Sequence, residues 1–301
     1  MVVVASLRFA PRRRLLVAAL CSSAGLALGA APARAQADAG REVIASHATV
    51  DLIADGTDPV APLTVGLRFR LEPGWHIYWR NPGDSGGPPT VRWTVKPAGW
   101  VPGEFAWPAP QRFSTGPLVN YGYSGTVVLP VPVALAGTRG AAAGTPRELV
   151  GEVKWIACQE ICVPGAATLR LAFPLATGER AAVGDWQAAI AAARERVPAP
   201  APGGWRATAR IAGEDVVLSI RTDGKAEKGT FFPVDQGVLN ESAPQKVDVA
   251  GWEMRVTQRK SDLLTAPPRT LRGVVVLPSG IAYEIVAPVS DPSRKAATPG
   301  N

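Results

Sequence analysis

Short runs of β-branched and aromatic residues, cut by Gly and Pro, set the pattern of this chain. Residues 43–54 carry β-branched residues in rough alternation and predict a strand. The same pattern returns at 63–71, 75–79, 90–95, 126–135, 148–156 and 167–176. Glu72-Pro73-Gly74, Asn81-Pro82-Gly83-Asp84, Pro97-Ala98-Gly99 and Ala136-Gly137 separate these runs as turn signals. Strands this short and this closely spaced predict a β-sandwich that buries an alternating face of Val, Leu, Phe and Trp. Residues 180–197 break the pattern: they are alanine-rich, with Trp186, Ile190 and Val197 at roughly helical spacing, and predict one helix. Pro198-Ala199-Pro200-Ala201-Pro202-Gly203-Gly204 ends it, because proline cannot continue a helix, and predicts a semi-rigid linker. Strands resume at 205–211, 216–222, 229–232, 252–258, 272–277 and 282–286. Leu277-Pro278-Ser279-Gly280-Ile281 joins the last two as a hairpin, with Gly280 supplying a positive φ. The expected fold is therefore all-β: one sandwich over 36–178, a helix and Pro-rich linker over 179–204, a second sandwich over 205–290 and a polar tail over 291–301.

Composition agrees, since 47% apolar and 19% charged residues describe a globular chain rich in Gly (31) and Pro (29). Charge changes the picture more. Five arginines (Arg8, Arg12, Arg13, Arg14 and Arg34) fall in the first 35 residues, where no acid occurs, so they carry five of the seven net positive charges. The remainder is nearly neutral and gives no reason to expect a nucleic-acid partner. Those 35 residues predict a secretory signal: Arg12-Arg13-Arg14, an apolar stretch from Leu15 to Ala31, and the cleavage site Ala33-Arg34-Ala35. A membrane anchor is the other reading, and Arg12-Arg13 before Leu15-Leu16 weakly resembles a twin-arginine signal. Cys21 leaves with the signal. No later apolar run is long enough to cross a bilayer, so the mature chain is expected to be soluble and not membrane-embedded.

Two cysteines then remain, in a compartment where disulfides persist. Cys158-Gln159-Glu160-Ile161-Cys162 is the most informative segment. A disulfide holds its Cα atoms about 4.4–6.8 Å apart, whereas four residues of strand span roughly 13 Å. The chain must turn within Gln159-Glu160-Ile161, with Val163-Pro164-Gly165 as a return leg. The pair would then sit at the tip of a strand connection, within reach of another protein. A purely structural staple is the alternative. A loop this short stabilises by only about 2 kcal/mol, and short loops carry strain that eases reduction. Redox work needs two sulfurs, one to form a mixed disulfide with a partner and one to resolve it.

Lys154-Trp155-Ile156-Ala157-Cys158 through Cys162-Val163-Pro164 resembles the cysteine segment of the N-terminal periplasmic domain of the DsbD/ScsB thiol:disulfide interchange family. Glu72-Pro73-Gly74-Trp75-His76-Ile77-Tyr78-Trp79-Arg80-Asn81-Pro82-Gly83-Asp84-Ser85-Gly86 is similar to the ScsB-like branch, as are Phe105-Ala106-Trp107-Pro108-Ala109-Pro110, Tyr121-Gly122-Tyr123 and Phe231-Phe232-Pro233. The three residues between the cysteines also fit that branch; the DsbD domain has five. The resemblance implies two immunoglobulin-like β-sandwich domains and electron transfer without a cofactor. Cys162 would form the mixed disulfide and Cys158 would resolve it. The donor would be a DsbD-like membrane reductase or its thioredoxin-like domain, and the acceptors periplasmic thiol proteins, including thioredoxin-fold ones. Family members usually continue into a membrane domain and a thioredoxin-like domain, so a stand-alone module fed by a separate protein is implied. A cap over the sulfurs is implied too, expected at 114–123 with Tyr121 or Tyr123 as the cover and Phe113 beside them.

A copper or zinc site of Cys158, Cys162 and His76 suits thiolate and imidazole ligands, but a packed histidine is the commoner case. A copper-tolerance binder or a non-catalytic adaptor with a structural disulfide would follow from the staple reading. Asp84 and Ser85 with a histidine suggest a hydrolase, yet no Gly-x-Ser-x-Gly elbow occurs. The tryptophans could form a carbohydrate platform, but those at 75, 79, 93, 107 and 155 fall in or beside strands and suit a core. Phe231-Phe232-Pro233 either meets a partner or seats the second sandwich.

Overall fold

The computed structural model describes residues 41–57, 63–135 and 146–290. The expected signal (1–35), the tail (291–301) and the turn at Ala136-Gly137 lie outside the described residues. The first half runs β1 (Glu42–Ala45), β2 (Ala48–Ala54), β3 (Leu63–Leu71), β4 (His76–Gly83), β5 (Thr90–Lys96), β6 (Trp100–Pro102), β7 (Gln111–Thr115), β8 (Leu118–Ser124), β9 (Thr126–Leu135), β10 (Arg147–Cys158) and β11 (Cys162–Phe173). One sheet has the order β1-β2-β3-β9-β6; the other is β11-β10-β4-β8-β7, with β5 also paired to β10. Alternation sends Leu67, Phe69 and Leu129 from the first sheet and Ile77, Trp79, Trp155 and Leu169 from the second into one core. Phe69 meets Trp155 edge to face across it, with ring centroids 5.8 Å apart.

The helix α1 (Thr177–Glu195) covers the outer face of the first sheet. Val183, Trp186, Ile190 and Ala193 are its buried residues, spaced three and four apart as one helical face requires. Gly66 makes this approach possible: a Cβ there would lie 2.7 Å from Val128, 2.9 Å from Ile53 and 3.2 Å from Ile190. Asp51 lies on the same outer face, fully buried, and accepts hydrogen bonds from Arg41 (2.7 Å) and from Arg68 (3.0 and 2.8 Å). Arg41 also lies over the Trp186 ring, tying the helix to this ion cluster.

The second half forms β12 (Ala199–Pro200), β13 (Arg206–Ala212), β14 (Asp215–Arg221), β15 (Thr230–Pro233), β16 (Lys246–Ala250), β17 (Glu253–Arg259), β18 (Thr270–Val276) and β19 (Ala282–Ser290). Apart from β12, they follow the path β15-β18-β19-β13-β14-β17-β16. β13 and β19 share only two residue pairs, so the sheet folds at that corner around a core that includes Leu218, Ile220, Phe231, Met254, Val256, Leu271 and Ile285. Both halves are thus all-β, with immunoglobulin-like sandwich packing.

β4 does not stop at Trp79 but runs through Asn81-Pro82-Gly83, where its register against β8 shifts. That irregularity admits Pro82 and turns Asn81 inward. The Pro-rich segment is more than a linker, because Ala199 and Pro200 add a parallel edge to β19. The hairpin at Leu277–Ile281 forms as expected, with Gly280 at φ +87. Phe232 seats the second half on the first: its ring packs edge to face on Trp79 (6.5 Å) and Tyr121 (5.1 Å). Around it, Asn81 donates to the Pro233 carbonyl (2.8 Å), Tyr121 to the Glu241 carboxylate (2.6 Å) and Arg112 to the Glu241 carbonyl (3.0 Å).

Candidate redox site

β10 and β11 form one unbroken antiparallel hairpin, paired from Arg147↔Phe173 down to Cys158↔Cys162. Gln159-Glu160-Ile161 is its turn, closed by the Gln159 N–H on the Ile161 carbonyl at 3.1 Å. The turn required by the cysteine spacing is therefore present. The sulfurs are bonded, with Cα atoms 4.2 Å apart.

Strand alternation decides what surrounds them. Leu149, Val153, Trp155 and Ala157 enter the core, so Cys158 points to the other face of the sheet. β4 meets β10 at Ile77↔Ala157 and His76↔Cys158. Ile77 and Trp79 enter the core, which leaves His76 and Tyr78 on the face of Cys158. The Tyr78 hydroxyl donates to Cys158 Sγ at 2.7 Å and stands 3.4 Å from Cys162 Sγ.

This face is covered. The chain after β4 folds over it, held by the Ser85 N–H and hydroxyl on Asn120 Oδ1 (3.2 and 3.0 Å). Gly86 presses on the Tyr78 ring so closely that a Cβ would lie 2.1 Å from its Cζ. From β7, Phe113 stacks on His76 at 4.5 Å with planes 6° apart. Cys158 is left 2% exposed and His76 3%, whereas Cys162 and the turn residue Ile161 (68%) are open to solvent. Burial raises the Tyr78 phenol above its ordinary value, partly opposed by a hydrogen bond with Ser85, and lowers that of His76. Tyr78 therefore remains a donor and His76 favours its neutral form. At the rim, the His47 ring stacks on Trp75 at 3.6 Å and its Nδ1 pairs with Glu72 at 2.8 Å. Next to it, the Ser46 hydroxyl donates to the Pro164 carbonyl at 2.9 Å, joining the β1–β2 turn to the return leg.

The structure thus gathers Cys158, Cys162, His76 and Phe113. It does not bring Tyr121 and Tyr123 to them. Tyr123 is the cross-strand neighbour of Ile77, so both tyrosines share the core-facing side, opposite the sulfurs. Tyr123 donates to the Pro108 carbonyl at 2.7 Å, and Tyr121 reaches Glu241. The stretch 114–123, expected as a cap loop, is instead the β7–β8 turn and most of β8. The cover comes from Phe113 and from Ser85-Gly86. Asp84 and Ser85 bond to Val119 and Asn120, not to a histidine. Among the described residues no group of three or more His, Cys, Asp or Glu side chains could hold a metal ion. Tyr78 is the residue the motif reading passed over. Its signal was its place two residues after His76, which fixes both on one face once the strand is known.

A disulfide at a hairpin tip, one cysteine exposed and one buried, on an immunoglobulin-like sandwich, is an arrangement suited to thiol–disulfide exchange. Residues 45–174 match the family model described as thiol:disulfide interchange protein DsbD, N-terminal. The fold is similar to the crystal structure of the N-terminal periplasmic domain of ScsB from Proteus mirabilis: TM-score 0.62, 21% identity, covering 83% of this chain and 97% of that one. Among curated proteins none matches significantly. No helix among the described residues is long and apolar enough to cross a membrane.

Proposed function

We propose that this chain is an exported, periplasmic protein-disulfide reductase component that passes reducing equivalents from a membrane-linked thioredoxin-like donor to periplasmic thiol proteins. In the reduced state the Cys162 thiolate attacks a partner disulfide, forming a mixed disulfide and releasing one partner thiolate. Cys158 then attacks Cys162 Sγ, the second partner thiolate leaves, and two electrons have passed to the partner. The observation that carries this assignment is the contrast in exposure between Cys162 and the shielded Cys158. Exposed Ile161 beside Cys162 supplies an apolar contact for a thioredoxin-like surface.

The test is a trap. Cys158→Ala should accumulate mixed disulfides through Cys162 with thioredoxin-fold proteins in periplasmic extract, and Cys162→Ala should not. A reduction potential below about −300 mV together with an empty trap would assign the bond a purely structural role.

A further inference from the structure

Resting on that exchange reading, we propose that His76 is the base that accepts the proton of Cys158 when this cysteine resolves the mixed disulfide. Thiol–disulfide exchange runs through the thiolate, so a protonated Cys158 must lose its proton before it attacks. Cys158 is shielded from solvent, which leaves a protein group to take that proton. His76 is its direct cross-strand partner. Side chains so paired have Cβ atoms about 4.5–5.5 Å apart on one face. His76 Nε2 is buried and has no hydrogen-bond partner while the sulfurs are bonded to each other. A buried polar nitrogen without a partner is costly, and it is explained if its partner appears only in the reduced protein.

The other groups around the imidazole do not compete. Tyr78, on the same strand, is a donor to Cys158 Sγ and steadies the thiolate once formed. β7 contributes the Phe113 ring, and its neighbour Arg112 is engaged by the Glu241 carbonyl. β8 places Ser124 opposite His76, and Ser124 donates to Gln111. Lys154 and Glu160 on the hairpin are exposed, and Cys162 is held in the mixed disulfide.

The step balances as follows. The Cys158 S–H proton moves to the imidazole, giving a thiolate and an imidazolium. The thiolate attacks Cys162 Sγ, the Cys158–Cys162 bond forms, and the bond from Cys162 to the partner breaks with its electron pair on the partner sulfur. The imidazolium then returns its proton to that thiolate or to water.

The experiment mixes the reduced full chain with oxidised glutathione as the disulfide probe and follows the Cys162 adduct and its closure by rapid quench and mass spectrometry across pH 5–9. Oxidised glutathione is supplied at a concentration at which the wild-type adduct accumulates before it closes. In His76→Gln, adduct formation should stay within about twofold, while closure slows at least tenfold at neutral pH and rises with pH as an unassisted thiol does. Unchanged closure rate and pH profile in His76→Gln overturns the proposal. A variant that fails to fold is replaced by a measurement with His76 in place. In Cys162→Ser, the alkylation rate of Cys158 with iodoacetamide should show a second titration matching the His76 imidazole by NMR, and its absence is equally fatal. Absence of any Cys162 adduct in Cys158→Ala instead removes the exchange reading itself, whatever His76 does.

Discussion

Single side chains at the hairpin tip set how the sulfurs behave. The Tyr78 hydroxyl reaches Cys158 at 2.7 Å, and a hydrogen bond of this kind stabilises a thiolate more than a disulfide. Tyr78→Phe should therefore raise the Cys158 thiol pKa and make the reduction potential more negative by roughly 30 mV, read from equilibrium with glutathione. An unchanged potential would mean that the hydroxyl only fills space. Gly86 serves the same contact from the other side. It combines φ +82 with a backbone pressed on the Tyr78 ring, so no side chain fits. Gly86→Ala should displace the ring, lower stability by a few kcal/mol in urea titration and move the potential in the same direction as Tyr78→Phe.

Among the elements, the helix and the outer sheet face are held by a buried charge. Asp51 takes bonds from Arg41 and Arg68 with no access to water, and removing one partner of such a cluster leaves unpaired charge behind. Asp51→Ala should cost about 3–5 kcal/mol in denaturant unfolding and expose α1 to proteolysis first. Element by element, the strands at 63–71 and 126–135 were legible because alternation and turn residues agreed there. β7 and β8 were not, because Asn120 and Gly122 interrupt the alternation and their pairing with β4 is non-local. Gly122 is needed where a Cβ would lie 2.0 Å from the Ile77 carbonyl oxygen. For the same reason the cysteine pair was readable from spacing alone, while its cover was misplaced. A tyrosine's neighbours depend on which face its strand presents, and one residue of register reverses the answer.

For the molecule as a whole, the junction between the halves responds to pH. Burial raises the Glu241 carboxyl from 4.5 to about 7, against the hydrogen bonds from Tyr121 and Asn81 that favour its ionised form. Between those values the folded chain keeps a proton that the unfolded chain has released. The stability that Glu241 contributes should therefore be fully present below pH 4.5, fall as pH rises to 7 by on the order of 3 kcal/mol, and level off above it. Glu241→Gln should flatten this dependence in urea titrations at pH 5 and pH 8, and a wild-type curve with no slope in that window would contradict the assignment. Phe232→Ala should cost about 3–5 kcal/mol by emptying the seat between Trp79 and Tyr121. The ladder from Arg147↔Phe173 to Cys158↔Cys162 carries a different consequence. Its backbone pairing runs right up to the two cysteines, so opening the S–S bond should leave the hairpin zipped. Amide exchange protection along β10 and β11 should be nearly identical in the two oxidation states. Donor and acceptor would then meet one unchanging outline, and only the electron count would tell them whether the relay is loaded.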